Sequence, residues 1–214
     1  MSAKRLIGMI VLVLLLACGA LAQVNELSLT AGRTFVSTQT ILNSGLSFNP
    51  SLHFGNEESI AVNYARHLKE WKIFSFSAEL PVAIYFRMDL NTQFNGVPKD
   101  IGALFATPSM RMNIFAGDSV TPWVSAGGGY GRFREAPVLN YFNANPGPSG
   151  QNTGVMQFGA GLDVWIWRSW GVRAEARDFY SGAPALFSAP GVRVDTGSTR
   201  QHNYYVGAGI AHRF

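Results

Sequence analysis

The chain has 214 residues, a formal net charge of +4, one cysteine, 23 glycines, 14 % charged and 13 % aromatic residues. That length suits one domain of ordinary size, the charged fraction falls well below the roughly one quarter usual for globular domains, and a single cysteine excludes an intramolecular disulfide. No segment is charge-rich or disordered by composition, and no basic stripe with interleaved aromatics points to nucleic acid.

The N-terminus reads MSAKRLIGMIVLVLLLACGALAQ. Lys4 and Arg5 form a positive n-region, Leu6 to Ala17 an apolar core, and Ala20-Leu21-Ala22 a small-x-small site before Gln23. These are the parts of a secretory signal peptide over 1–22, with Ala20, Ala22 and Gln23 at the cleavage point. The apolar core is short for a permanent anchor. Leu15 to Cys18 resembles a lipoprotein cleavage box, although Leu16 fits such a box poorly and the Ala22 site is good. Loss of the leader takes Lys+Arg from 17 to 15 against 13 Asp+Glu, so the charge falls from +4 to +2. The basic balance of the full chain therefore says little about a partner.

From there the dominant signal is a period of two. Leu27, Leu29, Ala31 and Phe35 alternate with Glu26, Ser28, Thr30 and Thr34; Ile60, Val62 and Tyr64 alternate with Ala61 and Asn63. The stretch FSFSAELPVAIYFRMDL sets Phe74, Phe76, Ala78, Leu80, Val82, Ile84, Phe86, Met88 and Leu90 against Ser75, Ser77, Glu79, Ala83, Tyr85, Arg87 and Asp89. A strand of that length far exceeds the globular mode of about 5–6 residues and suits a membrane span. Further runs begin at Ser109, Val124, Met156 and Val172, and a last one at Asn203 carries Tyr204, Val206, Ala208, Ile210 and Phe214 on its apolar face. Eight strands result. Short connections at His67 to Trp71, Ala116 to Thr121 and Arg168 to Trp170 interleave with long polar ones near 36–57, 91–103, 135–153 and 182–201. This is an up-and-down meander.

A soluble ligand-binding barrel alternates as well, with its apolar face inward. Here the non-apolar faces carry charges of both signs, which tolerate neither a dry core nor lipid unless paired. Turned into a lumen they can pair, and the continuous apolar faces then meet lipid. Trp71, Phe74, Phe115, Trp123, Trp167, Trp170 and Phe214 would form a girdle by the short turns, and Phe35, Phe86, Tyr130, Phe133, Tyr180 and Tyr204 a second toward the long loops. The expected fold is all-β: an eight-stranded antiparallel up-and-down transmembrane β-barrel over 23–214, in the outer membrane of a Gram-negative cell envelope.

On this architecture the mature chain resembles the small eight-stranded outer-membrane barrels of the outer membrane protein A/X and opacity-protein type. The end of the chain, with Gly209, Ile210, His212 and Phe214, is similar to the signal read by the barrel-assembly machinery, departing from it at Gly207 and His212. The resemblance implies outer-membrane lipid and the assembly machinery as partners, a monomer, and no cofactor. Glu26, Glu79, Arg87, Asp89, Arg111, Asp163, Arg173, Glu175, Arg177 and Arg213 are the expected lumen charge network. An eight-stranded barrel is just wide enough for its side chains to fill, so the network is read as a plug. The alternative is a gated network that makes a narrow ion-conducting pore.

A lipid A-modifying enzyme is a third reading. The deacylase type carries His-x-Ser on a late strand, but the corresponding place here is Phe179-Tyr180-Ser181, and a serine without a base is an ordinary hydroxyl. His53 and His202 are the histidines near the loop side. No cluster has metal-ligand spacing, and Gly127 to Gly131 lacks the lysine and helix of a phosphate loop. The long loops hold aromatic and apolar residues that could meet a surface ligand; solvated, variable loops are the default.

Overall fold

The computed structural model describes residues 25–115, 119–140 and 143–214. The expected leader, with Cys18 and the cleavage residues Ala20, Ala22 and Gln23, lies outside them. The described residues form strands β1 (Asn25–Val36), β2 (Gln39–Thr40), β3 (Ser51–Phe54), β4 (Glu57–Trp71), β5 (Phe74–Asn91), β6 (Asp100–Ala106) and β7 (Ser109–Ile114). They continue with β8 (Val120–Glu135), β9 (Gly150–Trp165), β10 (Trp170–Gly182), β11 (Phe187–Ala189), β12 (Val192–Arg193) and β13 (Arg200–Arg213).

Antiparallel pairing runs from β1 to β4, β5, the stave made by β6 and β7, then β8, β9, β10, β13 and back to β1. The ring has eight staves and no free edge. Closure is completed where Asn25 and Phe214 exchange backbone hydrogen bonds of 2.8 and 2.9 Å. The fourth stave is split because Pro108 has no N–H to give the ladder; the carbonyl of Pro81 takes up the Thr107 N–H at 3.1 Å, and Gly128 N–H reaches Pro108 O at 3.2 Å. Its upper half, β6, falls partly in what the sequence alone presents as a loop.

Alternation then decides what each face meets. Leu29, Val62, Leu104, Met110, Phe158, Val172 and Val206 are exposed on the outer wall, while Ser28, Thr30, Asn63, Ser125 and Gln157 are buried in the lumen. Two aromatics expected in the outer girdles are instead interior: Trp123 and Phe133 are each 1 % exposed. Their parity follows Ser125 and Gly131, which face in, and local aromatic clustering does not override it.

Two strands carry a register shift, β4 between His67 and Lys69 and β5 nearer the long loops. The pairing of β5 with β6 shifts between Tyr85 and Met88, a β-bulge that leaves Phe86 and Arg87 both outward. Beyond it Met88 and Leu90 turn inward and are buried, whereas Arg87 and Asp89 are exposed. The apolar face read from Phe74 to Leu90 is therefore not continuous.

The long connections are not free loops. The first is tied to the last by Leu42 N–H to Asp195 O at 2.7 Å and by Asn43 Nδ2 to Arg193 O at 2.8 Å. The second meets the third through Lys99 N–H to Val138 O at 3.0 Å, and the third meets the fourth where Gln151 and Ala185 exchange two bonds of 2.8 Å. Ile41, Leu52, Val97, Leu186 and Val194 bury their side chains beneath this cap, against the aromatics of the upper lumen. Glu135 is buried at the edge of the cap, where Asn145 and Gln151 donate to its carboxylate. Leu52→Ala should cost about 2–5 kcal/mol of local stability and speed protease cleavage of the cap, while Leu42→Ala, at an exposed position, should leave the cleavage rate unchanged.

Candidate functional site

The lower lumen, toward the short turns, holds most of the sequence-derived charges. β1 contributes Glu26, β5 Glu79, β7 Arg111, β9 Asp163, and β10 Arg173, Glu175 and Arg177, all buried. Their common feature is inward parity, which brings residues as far apart in sequence as 26 and 173 into one layer.

Arg173 is the central member. Its Nε and Nη2 donate to the two oxygens of Asp163 at 2.7 and 2.6 Å, Nη2 also meets Glu26 Oε1 at 2.5 Å, and Nη1 donates to Ser28 Oγ at 2.8 Å. Arg111 Nη1 donates to the same Glu26 oxygen at 2.6 Å. One layer up, Arg177 donates to Glu79 at 2.8 Å and to Glu175 at 3.0 Å. Thr30 Oγ1 lies 2.7 Å from both Glu175 Oε1 and the Tyr205 hydroxyl, and Asn63 Nδ2 donates to Glu79 Oε2 at 3.0 Å. Charge-assisted forks of this kind are the strong class of hydrogen bond, and they compensate desolvation that would be prohibitive for a lone ion.

Arg213 is peripheral. It is half-buried at the short-turn mouth, 3.7 Å from Glu26 Oε2, with its guanidinium 3.5 Å from the Trp165 ring centroid. Arg87 and Asp89 do not join the network, because the bulge in β5 turns both outward. With these two removed, four carboxylates and four guanidiniums remain together among the described residues.

Trp123 is the member that the sequence did not suggest. Its ring lies 5.7, 5.2 and 4.9 Å from the guanidinium carbons of Arg111, Arg173 and Arg177, and its Nε1 donates to Asp163 Oδ1 at 3.3 Å. The indole face gives three cations a weakly attractive partner in addition to their carboxylates. Gly161 makes the room: a Cβ there would stand 2.4 Å from the indole and 2.6 Å from Ala174 O. The readable signal was its parity with Ser125 and Gly127.

Above the charges the lumen changes character. Phe105 stacks on Phe179 at 5.3 Å and meets Tyr85 and Phe133 edge-on at 5.2 and 5.8 Å. At the other end, a mouth pocket of about 120 Å³ lined by Glu26, His67, Arg111 and Arg213 reaches up to the network. Along β13, Ile210 and Phe214 are exposed on the outer wall; His212 stacks on Phe214 at 5.9 Å and packs against Trp170 at 4.4 Å. Gly209 faces in, where a Cβ would stand 1.9 Å from Leu29 O.

No family model matches the sequence, and no curated protein is significantly similar to it in sequence. Solved structures are similar in fold. The outer membrane protein OprG from Pseudomonas aeruginosa aligns with a TM-score of 0.59 at 11 % identity, over 90 % of this chain and 96 % of that one. The outer membrane protein AlkL in DMPC lipid bilayers gives 0.55 at 14 %, over 89 % and 90 %. Neisserial surface protein A gives 0.53 at 11 %, over 89 % and 97 %. The fold is that of the small outer-membrane β-barrels. At such identities the likeness extends to the fold alone, and what fills this barrel is read from its own residues.

Arg173→Met should destabilise the barrel by about 3–5 kcal/mol, since it leaves Glu26 and Asp163 short of a buried cation. Urea unfolding should register that loss, and Arg213→Gln at the half-exposed mouth should cost under about 1 kcal/mol.

Proposed function

We propose that this chain is an integral outer-membrane β-barrel with a structural or surface-interaction role, exported by its N-terminal leader and closed along its lumen. The observation that carries this reading is the inverted polarity of the ring. Paired arginines and carboxylates lie inside, and Leu, Ile, Val, Met and Phe cover the outside. Water outside would favour the opposite arrangement, so the soluble, ligand-binding reading has no support from the wall.

Closure is supported at two levels. The Arg173 and Arg177 layers neutralise and fill the lower lumen, and the stacked aromatics with their cap fill the upper. A narrow pore would need both to move. The enzyme reading has little to draw on: Ser181 receives a hydrogen bond from Asn203 Nδ2 at 3.0 Å, and Phe179 lies within the aromatic stack. His202 Nδ1 lies 2.7 Å from Asp178 Oδ2, and His53 Nδ1 lies 3.1 Å from Thr38 Oγ1, so the loop-side histidines have other partners. On this reading the exposed Ile210 and Phe214 beside Gly209 are the handle for the barrel-assembly machinery. The barrel acts as a monomer, and the stitched cap is the surface available to a ligand outside the cell.

The test is electrophoretic and then electrical. Outer-membrane fractions run on a semi-native detergent gel should give a band that migrates faster unheated than boiled. The purified protein should carry no steady current in a planar bilayer. A soluble band without a heat shift would overturn the membrane placement, and steady conductance would overturn closure.

A further inference from the structure

We infer that the outer wall at the β5 bulge binds the phosphate-bearing headgroup of an outer-leaflet lipid. The inference rests on the membrane reading above. Arg87, Lys99 and Arg134 line an open groove of about 370 Å³ between β5, β6 and the end of β8. All three are exposed, and among the described residues none takes part in an ion pair.

The groove is built rather than incidental. Strict alternation would send Arg87 into the lumen; the bulge sends it out beside Phe86. Gly102 permits the bulge, since a Cβ there would stand 2.5 Å from Phe86 O. The register places Arg134 directly across from Gly102, where no side chain separates it from Arg87's strand. Below the cations, exposed Phe86, Ile84 and Leu104 continue the apolar wall. An acyl chain fits the lower part, and a phosphate fits the upper.

Two acids line the same groove. Asp100 offsets one cation. Glu135 is buried, and its carboxylate accepts hydrogen bonds from Asn145 and Gln151. Three exposed cations therefore face the half-buried Asp100, the exposed Asp89 paired across from it, and a carboxylate already occupied. That excess, stacked over an apolar strip, matches an anionic lipid and matches neither a free anion, which leaves the strip unused, nor an acidic protein, which would not lie against it.

The barrel would be placed in nanodiscs of neutral phosphatidylcholine doped with either phosphatidylglycerol or bisphosphorylated lipid A, and the lipid retained on the protein read by native mass spectrometry. The parent chain should retain the phosphate-bearing lipid in preference to phosphatidylcholine. The variant R87Q/K99Q/R134Q should keep its heat shift and lose that preference by roughly fivefold per cation removed. The control R33Q/R193Q/R200Q, with cations outside the groove, should match the parent. Preference for lipid A over phosphatidylglycerol would support a headgroup bridging several cations, and equal retention would support a single phosphate. Retention unchanged in the groove variant, or lost equally in the control, would overturn the site alone. A parent without a heat shift would overturn the membrane reading and the site with it.

Discussion

Arg173 has no water to turn to, and the rest of the lower lumen is arranged around that fact. A guanidinium in a closed barrel must be met by carboxylates at hydrogen-bond distance, and each carboxylate by further donors, or the ions do not stay charged there. Asp163 and Glu26 meet Arg173, and Arg111 meets Glu26. Arg177 repeats the arrangement one layer up with Glu79 and Glu175. Trp123 occupies the centre with a ring that three cations can share. This pairing joins inward positions on six of the eight staves, so the register of the barrel and the charge pattern of its sequence depend on each other.

The second constraint is that a barrel wall in lipid leaves no backbone group unpaired. The ring meets it by full closure, down to the bonds between Asn25 and Phe214. Its departures from regular pairing are local, and one of them is the shift of β4 between His67 and Lys69 near a short turn. Pro108 interrupts the fourth stave and is bridged by the Pro81 and Gly128 contacts. The bulge at Phe86 and Arg87 inverts the faces of the last part of β5, which puts Met88 and Leu90 under the cap and Arg87 and Asp89 on the outer wall. One inserted residue thus changes both the plug and the outer surface.

The upper lumen uses a different chemistry from the lower. Charges fill the half nearest the short turns, where the mouth pocket admits water to Glu26 and Arg111. Stacked aromatics fill the half under the loops, and Ile41, Leu52, Val97, Leu186 and Val194 come down from those loops to meet them. The cap is accordingly part of the core, held by loop-to-loop backbone bonds, and its exposed surface is what remains for contact outside the barrel.

The sequence by itself determined the architecture. Strict alternation over long strands, with charges on one face and apolar side chains on the other, leaves a closed barrel with a polar lumen as the arrangement that pairs every charge and covers every apolar face. Of the ten charges it assigned to the lumen, eight lie there together, because parity alone puts Glu26, Glu79, Arg111, Asp163, Arg173, Glu175, Arg177 and Arg213 on one face. What only the tertiary structure decided are the features that depend on cross-strand neighbours. A bulge leaves no mark in a single strand's alternation, so Arg87 and Asp89 could not be told from inward residues. Trp123 and Phe133 obeyed parity against the pull of their aromatic neighbours, and the loops packed inward because apolar space under the cap, invisible in any local window, was there to be filled.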